Sequence, residues 1–263
     1  MSGINWLIFI PLFCVSLASS AGASDLCLTV GYDNNPYDER LETRWGFSCM
    51  VEGTEKTIIF DLGGDGSVLL RNKEKLNISP RAIDIVVLSH IHGDHIGGLP
   101  TFLEKNPDVD VYMPISFPMR VKEQVKRVGA RLVEVRGPIE ICKDVYSTGE
   151  LGGCLKEESL MVKTTKGLVI ITGCAHPGIV NIVKKAKGIL KTDINLVIGG
   201  FHLGGMSSQH IEEIVKEMKK EGVKNVAPCH CSSDLARKLF KEAYGENFIL
   251  AGVGKRIKMK DAF

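Results

Sequence analysis

The sequence predicts an α/β protein of two sheets packed face to face with helices outside. Three observations carry that prediction: short apolar runs of strand length, amphipathic helical patterns between them, and one irregular stretch near the middle where two such halves meet. Of 263 residues, 44% are hydrophobic and 24% charged, which excludes disordered, collagen-like and coiled-coil chains. The 33 Lys and Arg against 31 Asp and Glu leave a net charge of +2, so nothing overall points to nucleic acid or an anionic membrane.

Residues 1–24 carry no charged side chain, and Trp6 to Ala18 is mostly apolar. At ~1.5 Å per residue that run is too short to anchor across a ~30 Å hydrocarbon layer. It suits a signal-peptide core, with Ala21-Gly22-Ala23 as the small-x-small cleavage pattern closing a leader over residues 1–23. The expectation is therefore an exported protein, periplasmic or extracellular, although residues 2–5 lack the usual Lys or Arg. A misplaced start codon would instead leave a cytoplasmic one. The remaining domain, 24–263, holds Cys27, Cys49, Cys142, Cys154, Cys174, Cys229 and Cys231, an odd set that leaves at least one thiol unpaired.

Within that domain, Thr57–Phe60, Ile85–Leu88, Leu168–Ile171 and Asn195–Ile198 read as buried strands. Ile179, Ile182, Val183, Ala186 and Leu190 recur at helical spacing, as do Ile211, Ile214, Val215 and Met218. Met119–Val128 is a third, more basic helix whose charges face water, and a further helix is expected over 95–104. The least regular stretch, 136–157, has Gly137-Pro138 and Gly152-Gly153 as turn signals.

Six of the seven histidines stand beside Gly, Asp, Cys or Pro at strand ends; only His210 lies in an ordinary helical pattern. The densest group is Ser89-His90-Ile91-His92-Gly93-Asp94-His95, directly after the strand 85–88. In extended chain, residues two apart share a side, so His90 and His92 face one point. Gly93 then lets the backbone turn and bring Asp94 and His95 round. Four such side chains do not converge on one tetrahedral ion, because metal–nitrogen bonds are only ~2.0–2.1 Å long. Two divalent ions satisfy the geometry, His90 and His92 on one, Asp94 and His95 on the other. Further ligands are expected from Gly173-Cys174-Ala175-His176, Gly199-Gly200-Phe201-His202 and Pro228-Cys229-His230-Cys231. His176 and His230 are the candidate ligands there and Cys174 a candidate bridging thiolate. His202 is a candidate to touch substrate or to hold a ligand in place.

These residues resemble the metallo-β-lactamase superfamily. The likeness rests on Phe60-Asp61-Leu62-Gly63, on Leu88-Ser89-His90-Ile91-His92-Gly93-Asp94-His95 continuing to Gly98-Leu99, and on the later histidine motifs. Trp45-Gly46-Phe47-Ser48, Gly173 through Asn181, Gly199 through Leu203 and Pro228 through Cys231 resemble a narrower, dihydropterin synthase-like branch. The superfamily implies a four-layer αββα sandwich with a metal pair at the edge between its sheets. The chain departs from the common pattern in two places. Leu155 to Leu160 holds no histidine where a His-x-x-Gly stretch is usual, and Thr172-Gly173-Cys174 replaces the Thr-Gly-Asp that supplies the bridging acid. His176 is then the candidate for the missing ligand.

The expected chemistry is metal-dependent hydrolysis of an ester, phosphoester or amide, by hydroxide activated between two divalent ions, with zinc ahead of iron and manganese. Asp94 is expected to position that hydroxide and His202 to stabilise charge developing on a small-molecule substrate. No Gly-x-Ser-x-Gly elbow offers a serine nucleophile, and Gly63-Gly64-Asp65-Gly66 lacks the Lys-Ser/Thr ending of a phosphate loop. It reads as a turn beneath the metal site. Two other readings stand beside hydrolysis: the branch's transferase chemistry in pterin-type cofactor synthesis, and a non-catalytic metal or thiol sensor built on Cys229-His230-Cys231. No nucleic-acid or membrane partner is expected of the domain, and the sequence carries no signal for its oligomeric state.

Overall fold

In the computed structural model, which describes residues 25–263, residues 26–135 build one sheet and residues 139–229 another. The leader read over residues 1–23 lies outside the described residues. The first sheet takes β1 (Leu26–Tyr32), β2 (Ser48–Glu52), β3 (Ile58–Phe60), β4 (Ile85–Val87), β5 (Asp110–Pro114) and β6 (Arg131–Val135) in that spatial order. The chain crosses over at Gly137-Pro138. It then lays down β7 (Ile139–Cys142), β8 (Val145–Ser147), β9 (Leu160–Thr164), β10 (Gly167–Thr172), β11 (Ile194–Gly200) and β12 (Asn225–Cys229), again as successive neighbours. A last strand, β13 (Arg256–Met259), returns to the first sheet and pairs antiparallel with β1.

Why the strands read as unbroken apolar runs is visible in which way alternate residues point. Ile58, Phe60, Ile85, Val87, Val169 and Ile171 enter the core between the two sheets. Ile59 and Val86 face the helices of the first half, and Leu168 and Ile170 those of the second. A strand buried on both faces has no polar phase to show. Each such side chain contributes about 1.5–3 kcal/mol of transfer free energy.

The helices are α1 (Gly66–Lys75), α2 (Gly93–Ile96), α3 (Leu99–Lys105) and α4 (Met119–Arg127) on the first sheet, and α5 (Ile179–Leu190), α6 (Ser208–Lys220) and α7 (Asp234–Tyr244) on the second. Leu69, Phe102 and Val125 fill the first outer core, and Ile182, Ile211 and Phe240 the second. The layers are therefore helix, sheet, sheet, helix. Among the described residues, no helix is long and apolar enough to cross a membrane.

Two helices differ from the sequence reading. On α4, Lys122 is buried and donates to Glu134 and the Ile115 carbonyl, although that helix's charges are expected to face water. The expected helix over 95–104 is two pieces, α2 and α3, broken at Gly97-Gly98. The backbone bonds there go sideways: Leu62 N–H donates to the His95 carbonyl (2.8 Å) and Gly98 N–H to that of Gly63 (3.1 Å). A Cβ on Gly97 would stand 2.2 Å from the Gly64 oxygen, and one on Gly98 2.2 Å from that of Leu62. The turn 61–64 thus presses directly against the segment that carries Asp94 and His95, while Asp65 caps α1 through the Ser67 and Val68 amides.

Candidate metal centre

Parallel pairing of β3 with β4, and of β10 with β11 and β12, aims their carboxyl ends at one edge of the sandwich. The segments leaving those strands carry Asp61, Ser89 to His95, Cys174 to His176, His202 and His230. The backbone is forced to bring them together. Asp61, Ala175, His202 and His230 all hold φ between 48° and 58°, the left-handed region that side chains other than glycine avoid. At about 1–3 kcal/mol apiece, that strain persists only because the surrounding fold over-determines it.

His90, His92, Asp94, His95, His176 and His230 form one cluster. The His90 ring centroid lies 4.7 Å from that of His92, 4.2 Å from His95 and 4.8 Å from His176, and the His95 and His230 rings are 5.0 Å apart. Two donor sets result, each with its ligand atoms within 4.8 Å of one another: Asp94, His95, Cys174 and His230, and His90, Cys174 and His176. Cys174 belongs to both. His92 stands beside the second set, its Nδ1 3.1 Å from His90 Nε2. His202 lies at the rim, exposed, its ring 4.3 Å from that of His176. His210 is a surface residue on α6 facing Glu213.

Several side chains outside the histidine motifs hold the cluster in place. Asp61 Oδ2 lies 2.7 Å from His95 Nδ1 and accepts from the Ser89 hydroxyl (2.7 Å), while its Oδ1 accepts from Ser89 N–H (2.7 Å). Ser89 Oγ in turn sits 2.9 Å from His90 Nδ1. Asn34 Oδ1 is 2.9 Å from His230 Nδ1, and Asp33 accepts the His230 amide (3.1 Å). Glu157, fully buried, accepts the backbone N–H groups of Cys174, Ala175 and His176 at 2.8–2.9 Å. It occupies the stretch where the sequence shows no histidine, and it shapes the ligand loop instead of ligating. Asp61 and Ser89 stand out in the sequence only as members of motifs. Asn34 and Glu157 carry no local signal beyond being polar residues beside apolar runs.

Burial and neighbouring imidazoles hold His90 neutral, and burial with His202 and His92 nearby pushes His176 down to about 4. His95 is opposite in sense: burial opposes its protonation, but Asp61, with Asp94 and Glu157 behind it, overcomes burial and raises it. Burial likewise works against ionised Asp94, and His230 and His95 overcome it, so that its carboxyl stays well below the usual range. Neutral imidazoles and an ionised carboxylate are the states in which these groups bind cations.

Whether the residues suit a metal can be tested on their unspent hydrogen-bonding capacity. His176 Nε2 and His230 Nε2 are both buried without a hydrogen-bond partner; the latter lies 3.3 Å from Asp94 Oδ2 but out of alignment. An unpaired buried nitrogen costs about 1–3 kcal/mol. Two of them, turned into a knot of further imidazoles, a thiol and a carboxylate, fit a cation. Beside the cluster, a cavity of about 230 Å³ opens between α5 and α6, lined mainly by Ile179, Val180, Phe201, Leu203, Met206 and Ile214, with His176 and His202 at the end facing the cluster and His210 also on its wall.

The thiols of the Cys229-His230-Cys231 turn part company. Strand alternation sends Cys229 into the core between the sheets, whereas Cys231 Sγ lies 3.3 Å from Cys174 Sγ. A sensor using both thiols together is not what the fold presents.

Residues 46–180 match the family model of the metallo-beta-lactamase superfamily. A 7,8-dihydropterin-6-methyl-4-(β-D-ribofuranosyl)-aminobenzene-5′-phosphate synthase of Methanocaldococcus jannaschii is 31% identical over 88% of this chain and 95% of its own. A ribonuclease Z of Streptococcus mutans is 29% identical over 49% of this chain and 37% of its own length. Among solved structures, a metal-dependent hydrolase of the beta-lactamase superfamily superposes with a TM-score of 0.75 at 27% identity, covering 89% of this chain and 99% of that one. The archaeal relative corrects the expectation of a periplasmic or extracellular protein. Export is set aside on that ground. Matched along most of its length to such relatives, and folded as they are, the chain belongs to the metallo-β-lactamase superfamily.

Proposed function

We propose that this protein is a metal-dependent hydrolase that cleaves an ester, phosphoester or amide bond in a small molecule with an apolar part. The observation that carries the reading is the pair of unpartnered, buried Nε2 atoms of His176 and His230, turned into a cluster that already gathers His90, His92, Asp94, His95 and Cys174. His90, His92 and His176 would hold one divalent ion, and Asp94, His95 and His230 a second, with Cys174 between them. Two bound ions, zinc ahead of iron and manganese, would lower the pKa of water towards ~7 and polarise a carbonyl or phosphoryl oxygen.

The chain's own residues supply the rest. Asp94, kept ionised, accepts a hydrogen bond from the attacking water and orients it. Asp61 fixes the His95 ring, Ser89 that of His90 and Asn34 that of His230, so no ligand has to reorganise during turnover. His202, at the rim, donates to the oxygen on which negative charge builds. The apolar cavity next to it takes the non-reacting end of the substrate and excludes water there.

A second reading is favoured by one finding, the likeness to the archaeal synthase along nearly its whole length. In that case the same centre would join two substrates instead of admitting water.

The two are separated by metal analysis and a substrate panel run on purified protein. The hydrolase reading expects about two metals per chain and turnover of generic phosphodiesters or esters that chelator abolishes and zinc restores. His92→Ala should lose most of that turnover, far more than His210→Ala, whose ring lines only the neighbouring cavity. Turnover that survives complete metal removal would refute it. Turnover confined to a pterin donor with an aminobenzene riboside would replace hydrolysis with the synthase reading.

A further inference from the structure

The thiol of Cys231 is left over from the two donor sets described above, and its surroundings are specific. Its Sγ lies 3.3 Å from Cys174 Sγ, and the His202 ring nitrogen completes a triangle whose donor atoms all fall within 4.8 Å of one another. The local backbone is built round that thiol. A Cβ at Gly200 would stand 2.6 Å from Cys231 Sγ, so only glycine admits it. His202, one corner of the triangle, and His230, next to Cys231 in the chain, are both held at positive φ. Cys174 and Cys231 are buried while His202 is exposed, giving a floor of sulfur under an open top.

The spacing favours shared coordination. Two sulfurs bound at ~2.3 Å to one tetrahedral ion are roughly 3.8 Å apart, so the pair needs to widen by only about half an ångström. A disulfide would need the same atoms to close to ~2.05 Å, and it would withdraw Cys174 from both neighbouring donor sets. Two sulfurs with one imidazole make a softer set than the imidazole–carboxylate sets beside it, and soft sets select thiophilic ions.

We propose that Cys174, Cys231 and His202 form a third, sulfur-rich metal subsite for a thiophilic ion of the zinc, cadmium or copper(I) class, fused through Cys174 to the imidazole–carboxylate centre. The subsite does not depend on the reaction the centre performs. Manganese, which prefers oxygen ligands, would leave it unfilled. His202 then has two states, a ligand when the subsite is loaded and a free rim imidazole when it is not.

The test uses the full chain, stripped by chelator under reducing conditions and titrated with cadmium alone. Uptake is followed by sulfur-to-cadmium absorption and by cadmium-113 NMR. The expected result is about three ions per chain, one of them with a resonance typical of two sulfur ligands. Cys231→Ser should remove that resonance and about one equivalent of uptake, and His202→Ala should weaken it, whereas Cys142→Ser, a thiol on β7 away from the centre, should leave both unchanged. The wild-type spectrum needs no variant, so a misfolded mutant does not rescue the idea. A wild-type spectrum without a two-sulfur ion, an unaltered titration of Cys231→Ser, or recovery of a Cys174–Cys231 disulfide from the reduced preparation would each overturn it.

Discussion

Asp61 and Glu158 show how single buried carboxylates can act in opposite ways beside the same cluster. Asp61 spends its oxygens on Ser89 and His95, so its charge is matched and it fixes a ring without being a ligand itself. Asp61→Asn keeps the shape and removes the charge, and metal affinity should fall about 10- to 100-fold in a competition with a chromogenic chelator. Unchanged affinity would show that the His95 ring is positioned by packing alone. Glu158 has only the Ser147 hydroxyl for company, one of its oxygens is without a partner, and burial pushes it up to about 8. Its folded-state pKa lies above the unfolded value of about 4.3, so the folded chain binds the extra proton. The stability linked to that proton is complete below about pH 4 and is lost as pH rises through about 8. Thermal unfolding midpoints should therefore fall between about pH 5 and 8, and Glu158→Gln, which mimics the protonated form, should flatten that slope. A variant with the wild-type slope would assign the pH dependence elsewhere.

At the scale of elements, the informative feature is the break between α2 and α3. A continuous helix over 95–104 is what apolar spacing suggests, yet Gly97 and Gly98 let the chain press against the turn 61–64, where the Gly98 amide donates to the Gly63 carbonyl and the His95 carbonyl accepts from Leu62. Gly97→Ala would set a methyl group against the Gly64 carbonyl and should cost about 1–3 kcal/mol in denaturant unfolding. It should also weaken metal binding, because Asp94 and His95 ride on the displaced segment. Loss of stability with metal affinity intact would mean that the loop yields without moving those two side chains. The anticipated strands stand because both their faces are apolar, as in Ile58-Ile59-Phe60, where adjacent residues enter different cores. The helix break could not be read the same way, since its cause is a loop some thirty residues earlier in the chain.

Across the whole molecule, the same division separates what was legible from what was not. His90, His92, Asp94 and His95 lie within six residues and nominate a metal site by spacing alone. His176, His202 and His230 could be nominated because each follows an apolar run, and the parallel order of β10, β11 and β12 brings them to one edge. Glu157, Asn34 and Asp33 were silent: each acts through contacts 17 or more residues away in the chain. The return of β13 to β1 was equally hidden, being a pairing of the two ends of the domain.

That last pairing has a consequence for how the chain can be strung. Leu26 faces Met259 across the ladder, and the Asp261 amide donates to Asp25, so the first and last described residues are close neighbours. Joining them with a short glycine–serine linker and opening the backbone between Gly137 and Pro138 would give a circular permutant that begins with the second sheet and ends with the first. Every strand pairing described above, β13 with β1 included, survives that rewiring. The permutant should fold and bind zinc with near-native affinity, and a permutant that fails to do so would show that the crossover itself, and not the pairing it connects, keeps the two sheets in register.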